Sequence, residues 1–231
     1  MNVTVVIPAL NEAGNIRALV AEVRATIHAE IIVVDNGSTD ATASEARAAG
    51  ATVITETRRG YGYACAAGVV AADRAEAVVF LDGDYSFLPG DLPALLRPLT
   101  QDTADLVLGS RWLGHIEPGS MPPQQRLGNW LTARLMNRLY GLSITDLGPY
   151  RAIRRVLIDQ LDLHEMTYGW PSEMLVKAAK RRARIVEVPV QYHARRAGRS
   201  KVSGTIGGTL RAGWCILSVT LRYAALSSRP G

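Results

Sequence analysis

Cysteine is scarce in this chain: Cys65 and Cys215 are the two found in 231 residues. Two cysteines cannot form a disulfide framework, and both fall in helix-like segments, so small core positions in a reducing, cytosolic compartment are expected. Phenylalanine is equally rare, at two. No zinc-ligand spacing or RNA-binding motif accompanies the basic residues, which argues against a nucleic-acid partner. His164 and His193 stand at no metal-ligand spacing. No apolar run reaches the length of a membrane span, and the longest candidate, 213–221, is cut off by Arg222. No basic leader precedes the first apolar segment. The first strand-like segment is not followed by Gly-x-Gly-x-x-Gly, so the dinucleotide fingerprint is missing where it belongs.

What remains is a regular alternation. Apolar runs at 3–7, 31–34, 51–54, 77–81 and 106–108 predict strands. Between them, 12–27, 40–48, 63–72 and 89–99 have helical spacing; Ser38, Thr39 or Asp40 is available to cap the second helix and Pro89 to start the fourth. Such alternation predicts βαβ units and a parallel sheet with right-handed crossovers. Beyond 108 the pattern loosens. A Gly- and Pro-rich loop is expected at 114–123, a helix at 124–140, and irregular chain leading into a strand at 144–153. A helix at 171–182 follows, then a strand at 185–192 that Pro189 assigns to a sheet edge. A mobile basic loop at 194–204 and a helix at 205–226 complete the chain. No repeat, low-complexity segment or linker is visible, so 1–231 reads as one domain. The net charge is +5, and Arg181, Arg182, Arg184, Arg195, Arg196, Arg199 and Lys201 concentrate it late, where it could draw a phosphorylated ligand or anionic lipid.

The chemistry is carried by Val78-Val79-Phe80-Leu81-Asp82-Gly83-Asp84. An apolar strand ends in two carboxylates one residue apart, at the sheet edge where ligands of open α/β sheets bind. Hard divalent cations take oxygen ligands, often one or two carboxylates plus substrate phosphates. Asp35 ends the second strand in the same way and could accept hydrogen bonds from a base or ribose. Pro8-Ala9-Leu10-Asn11-Glu12 ends the first and could line a nucleoside pocket. Gly60-Tyr61-Gly62, after Arg58 and Arg59, offers backbone approach and charge to phosphate or makes an ordinary turn.

In order, Val6-Ile7-Pro8-Ala9-Leu10-Asn11-Glu12, Val33-Val34-Asp35-Asn36-Gly37-Ser38-Thr39-Asp40, Gly60-Tyr61-Gly62 and Leu81-Asp82-Gly83-Asp84 resemble a family 2 glycosyltransferase. Gly109-Ser110-Arg111, the stretch Asp146 to Arg151, and Glu187-Val188-Pro189 extend the resemblance. Arg195-Arg196-Ala197-Gly198-Arg199-Ser200-Lys201 is similar to the Arg-x-x-Gly-x-Ser-Lys loop of polyprenyl- and dolichyl-phosphate sugar synthases. The resemblance implies the GT-A fold, a Rossmann-like three-layer α/β/α sandwich with a mostly parallel central sheet. It implies that Pro8, Leu10, Glu12 and Asp35 hold base and ribose, with Gly60 and Gly83 in the donor site. Asp82 and Asp84 would bind Mg²⁺ or Mn²⁺ on the diphosphate. Arg111, Arg126 and Arg195 would meet phosphates, with Ser200 and Lys201 in a loop closing over them. Asn36 departs from a common second Asp, and Gly148-Pro149-Tyr150-Arg151 replaces the commoner Gly-Phe-Arg.

The implied reaction is one inverting displacement that moves a sugar from a nucleotide-diphosphate donor, UDP-glucose before GDP-mannose, to a polyprenyl phosphate. Such an acceptor oxygen is already anionic and needs no base. A soluble hydroxyl acceptor would need one, for which Asp146 or Glu173 are candidates, Glu173 otherwise being a solvated helix residue. A non-catalytic nucleotide-sugar-binding partner of a membrane protein is the alternative from another class. The last helix has an apolar stripe through Ile206, Leu210, Trp214, Leu217, Leu221 and Ala225. It would lie at the inner face of the plasma membrane, pack on the domain, or join another subunit of a homo-oligomer.

Overall fold

A computed structural model describes residues 1–197 and 206–227, the side chains of 206–212 and 225–227 excepted. Seven strands form one sheet: β1 (Val3–Ala9), β2 (Glu30–Asp35), β3 (Thr52–Thr55), β4 (Ala77–Phe80), β5 (Leu106–Ile116), β6 (Arg151–Arg154) and β7 (Ile185–Tyr192). Their order is β3-β2-β1-β4-β6-β5-β7. The first four run parallel, β6 is antiparallel to both β4 and β5, and β7 is parallel to β5. The helices are α1 (Ala13–Thr26), α2 (Thr42–Ala48), α3 (Tyr61–Ala71), α4 (Leu92–Thr100), α5 (Pro123–Tyr140), α6 (Arg155–Leu161), α7 (Trp170–Lys180) and α8 (Ile206–Ser227). This is the expected three-layer arrangement around a mostly parallel sheet.

Two cores explain why the strands read as unbroken apolar runs. Val5, Ile7, Ile31, Val33, Val79 and Leu81 face one layer, where α1 and α4 contribute Leu19, Val23, Leu92 and Leu95. Their chain neighbours Val6, Ile32, Val34, Val78 and Phe80 face the other, against Ala64 of α3, Met136 of α5 and Met174 of α7. Side chains alternate along a strand, so burial of both faces requires apolar residues at every position. Gly68 lets α3 lie close on the sheet, because a Cβ there would stand 2.2 Å from Val6 Cγ1.

Three local expectations change. β5 does not end near 108 but runs to Ile116, so the loop is shorter than 114–123. β7 explains this: it pairs along β5 to Ser110 and, past an irregularity, again at His115 and Ile116. Gly114 is required there, since a Cβ would fall 2.0 Å from Val190 O. α2 starts at Thr42, whose N–H donates to Asp40 Oδ1 at 3.0 Å. The short helix α6 had no expected counterpart. β7 is an edge strand, as Pro189 indicated.

Candidate functional site

The strand order reverses between β1 and β4, and the crevice that opens there at their carboxyl ends is the standard ligand position of open α/β sheets. A cleft of about 1540 Å³ starts at that point. Pro8, Leu10 and Glu12 line it from beyond β1, and Asp82, Gly83 and Asp84 from beyond β4. Two non-glycine residues beside these segments have left-handed backbone, Asn11 at φ 53° and Tyr85 at φ 62°. Strain of this kind concentrates at ligand sites. Asn11 is held by its side chain, whose Oδ1 accepts from Thr39 N at 2.8 Å.

The two aspartates are supported differently. Asp82 Oδ1 accepts from Tyr61 Oη at 3.1 Å. Burial, and then the charge of Asp84, push the Asp82 carboxyl up to about 7. Asp84 Oδ1 accepts from Ser86 N at 2.9 Å and Ser86 Oγ at 2.6 Å. Its Oδ2 accepts from Arg195 Nη2 at 2.8 Å, while Arg195 Nη1 reaches Glu12 Oε1 at 3.1 Å. Three carboxylates therefore gather at one end of the cleft, and a cation already bridges two of them. This all-oxygen set fits a hard divalent ion. Among the described residues no group of three or more His, Cys, Asp or Glu could hold a metal ion by itself. Such an ion would need further oxygens from a ligand.

Arg111 approaches from β5. It is 5% exposed, lines the cleft, and lies 5.2 Å from the centre of the Tyr192 ring. Asp146 grips it with both oxygens: Oδ2 accepts from Arg111 N at 2.8 Å and Nε at 2.7 Å, and Oδ1 from Nη2 at 2.6 Å. Burial raises the Asp146 carboxyl, but the charge and hydrogen bonds of Arg111 together outweigh it, and the net shift is downward. Glu187 fixes Asp146 in turn, accepting from the backbone N–H of Thr145 at 2.8 Å and of Asp146 at 2.9 Å. The motif residues Arg111, Asp146 and Glu187 thus form one relay, distant in sequence and continuous in space. A carboxylate engaged in this way orients Arg111.

The other expected residues fall in varied places. Asp35 ends β2, 8% exposed, and accepts from Ser38 N at 3.0 Å. Gly60 lines the cleft, but a Cβ there would stand 2.4 Å from Met166 O, so packing alone accounts for a glycine. Arg58 is spent on Glu56 at 2.7 Å. Arg59 lines the cleft, and its Nη2 donates to Gly37 O at 2.9 Å. Arg126 is not among the cleft-lining side chains and lies over Trp112, 6.0 Å from the ring centre. Arg134 and Arg138 of α5 do line it; their i,i+4 spacing was the available signal. Ser200 and Lys201 lie outside the described residues. Glu173 is fully buried rather than solvated: it accepts from His164 N and Glu165 N, pairs with Lys177 and accepts from Tyr223 Oη. That is a structural junction of α7 with α8. Asn36, which departs from the common acid, donates Nδ2 to Glu56 O at 3.0 Å and Arg58 O at 2.8 Å, and accepts from Gly60 N at 2.9 Å. A carboxylate could not donate to those carbonyls.

From the acids the cleft continues between α5 and α8. Leu131, Leu135, Pro149, Ile216 and Leu217 line that part. Of the apolar stripe expected on α8, the described members Trp214 and Leu221 are turned outward, 74% and 53% exposed, whereas Val219 and Thr220 are buried against the protein. Trp112, Leu113, Leu127, Trp130 and Leu131 are exposed as well.

Comparison with known proteins bears on this arrangement. Residues 4–162 match the model for Glycosyl transferase family 2. An uncharacterised glycosyltransferase of Mycobacterium tuberculosis is 40% identical over 210 residues, covering 91% of this chain and 94% of its own. Undecaprenyl-phosphate mannosyltransferase of Micrococcus luteus is 30% identical over 244 residues, covering all of both. In structure, the chain is similar to glucosyl-3-phosphoglycerate synthase of M. tuberculosis, crystallised with Mn²⁺, UDP and glucosyl-3-phosphoglycerate. The TM-score is 0.78 at 24% identity, over 97% of this chain and 80% of that one. At that identity the likeness speaks to the fold alone.

Proposed function

The chain belongs to glycosyl transferase family 2, and from that premise we propose that it transfers a sugar from a nucleotide-diphosphate donor to a polyprenyl phosphate. The observation that carries the acceptor is the shape of the cleft. It begins at carboxylates and arginines and continues between α5 and α8 past Leu131, Leu135, Ile216 and Leu217. A charged phosphate with an apolar tail matches that sequence of surfaces; a small polar acceptor would leave the apolar end unused. The Micrococcus relative, by its name a polyprenyl-phosphate enzyme, supports the same reading.

In this proposal an acceptor phosphate oxygen attacks the anomeric carbon as the bond from that carbon to the donor diphosphate breaks, with inversion. The acceptor oxygen is already anionic, so positioning outweighs proton transfer. Arg111, held by Asp146, presents a fixed cation to phosphate. Arg134 and Arg138 add positive charge further along the cleft. Pro8, Leu10 and Glu12 form the nucleoside end, with Gly60 and Gly83 beside it and Asp35 behind it at the end of β2. Asp82 and Asp84 would hold Mg²⁺ or Mn²⁺, which would neutralise charge on the leaving diphosphate. Arg195 is close enough to serve the same phosphates.

No helix among the described residues is long and apolar enough to cross a membrane. The outward Trp214, Leu217 and Leu221, beside exposed Trp130 and Leu131, suit a helix pair resting in a bilayer surface, at the cytoplasmic face where a nucleotide donor is available.

The test is transfer of labelled sugar from UDP-glucose and from GDP-mannose, with Mn²⁺ or Mg²⁺, to undecaprenyl phosphate or to 3-phosphoglycerate. Label entering the organic phase with one donor supports the proposal. Label entering phosphoglycerate alone refutes the lipid acceptor and favours the soluble reaction named for the structural neighbour. Thermal melts with UDP or GDP, each with and without Mn²⁺, identify the base independently, because a bound ligand raises the midpoint.

A further inference from the structure

Residues 193–197, directly after β7, are fastened along the acid end of the cleft. His193 N donates to Ser86 O at 2.9 Å and Ala194 N to Glu117 Oε2 at 2.7 Å. Arg195 spans Glu12 and Asp84, and the guanidinium of Arg196 lies 5.3 Å from the centre of the Tyr85 ring. Ala197 O accepts from Asn15 Nδ2 at 3.1 Å, and the same amide donates to Glu12 Oε2 at 2.8 Å. The fit against α1 is close: a Cβ on Gly14 would stand 3.2 Å from Ala197 Cβ.

We infer that Arg195 is the resident cation of the donor-free site, and that a divalent ion arriving with the nucleotide displaces it from Asp84. The inference rests on the proposed reading of Asp82 and Asp84 as metal ligands. Asp84 Oδ2 is the oxygen that Arg195 occupies, and Oδ1 is engaged by Ser86. Arg195 therefore occupies the Asp84 oxygen that Ser86 leaves to a metal. Glu12, Asp82 and Asp84 together need positive charge, since each carboxylate raises the cost of ionising its neighbours. Arg195 supplies it when no ligand is present. A nucleotide diphosphate with its metal brings both a replacement cation and new anionic oxygens. Exchange then keeps the site near neutrality, and Arg195 is released beside the phosphates. Metal alone lacks those oxygens and competes poorly. Ordered metal–nucleotide binding follows from the contacts themselves.

The experiment is titration of the full chain with Mn²⁺ in the absence of nucleotide, followed by the resonance signal of free Mn²⁺. Arg195→Ala is expected to bind Mn²⁺ about fivefold more tightly, the equivalent of ~1 kcal/mol held in a partly exposed ion pair. Asn15→Ala leaves every formal charge in place and loosens both the strap and Glu12; it is expected to tighten Mn²⁺ binding about twofold, corresponding to part of that pair's contribution. Thermal melts establish that each variant is folded. Unchanged Mn²⁺ affinity in both variants overturns the latch. Tightening in Arg195→Ala with none in Asn15→Ala assigns the effect to lost repulsion and also overturns it. Asp84→Ala separates the two levels: if that variant binds Mn²⁺ as well as the parent, the metal assignment itself fails.

Discussion

Replacing Asp146 by Asn tests whether this carboxylate positions Arg111 or serves as a base. Asp146 is fully buried and Arg111 nearly so, and three hydrogen bonds of 2.6 to 2.8 Å join them. Asparagine keeps the shape but turns one acceptor into a donor facing a guanidinium that has only donors. Arg111 is left as a buried charge without a counter-charge. Breaking such a pair from one side costs ~3–5 kcal/mol. For a chain of this size each kcal/mol moves the midpoint by ~2–4 °C, so a fall of ~6–20 °C is expected. Urea unfolding and thermal melts at neutral pH measure it. The double variant Arg111→Met with Asp146→Leu should recover most of the loss, because an apolar pair leaves no charge uncompensated.

The pH dependence has a defined sign. The folded carboxyl of Asp146 lies below its ordinary value. Its contribution is therefore fully present above the unfolded value of about 4 and disappears as pH falls through the folded value. Parent and Asp146→Asn should converge in stability under strongly acid conditions and differ most at neutral pH. A variant within ~1 kcal/mol of the parent at neutral pH would refute the buried-pair reasoning, since exposed pairs contribute no more than that. A variant with parental stability and donor binding but no turnover would make Asp146 a base.

The remaining predictions probe other junctions. Asn36→Asp should lose ~2–4 kcal/mol, because the carbonyls of Glu56 and Arg58 lose their donor and face a charge; an unchanged urea midpoint would refute this. Glu173→Gln should lose ~2–3 kcal/mol from weakened charge-assisted bonds to His164 N, Glu165 N and Lys177. It should also speed amide exchange in α8, which Tyr223 ties to Glu173; exchange unchanged in α8 would separate the two. Trp214→Glu with Leu217→Glu should abolish flotation with vesicles containing anionic phospholipid while leaving the unfolding free energy within ~0.5 kcal/mol of the parent, as for exposed positions generally. Retained flotation would remove α8 from the membrane contact.

How much of this was legible in the sequence follows from how local each signal is. The parallel half of the sheet was, because burial on both faces forces runs such as residues 5–7 and Ala77–Phe80 to be apolar throughout. The placement of Asp82 and Asp84 at the cleft followed, since a strand's carboxyl end is fixed once the strand is. The length of β5 was not legible: its last residues are exposed and held by pairing with β7, some seventy residues on in sequence. The state of Asp146 was not either. An isolated buried carboxylate and one gripped by Arg111 look alike in one dimension, and only the contacts tell them apart. Periodicity predicted the α8 stripe correctly as apolar but not the direction it faces. A stripe through Trp214 and Leu221 is as consistent with a core as with a bilayer. Burial of Val219 and Thr220 on the opposite side, with Tyr223 bonded to Glu173, is what turns it outward. The same distinction separates Arg195 from the other late arginines. Composition marks them all as a basic cluster, whereas the contacts among the described residues seat Arg195 on Glu12 and Asp84, more than a hundred residues away from either. In this chain the strands that build the cleft are written locally, and the charges that work it are selected by long-range contact.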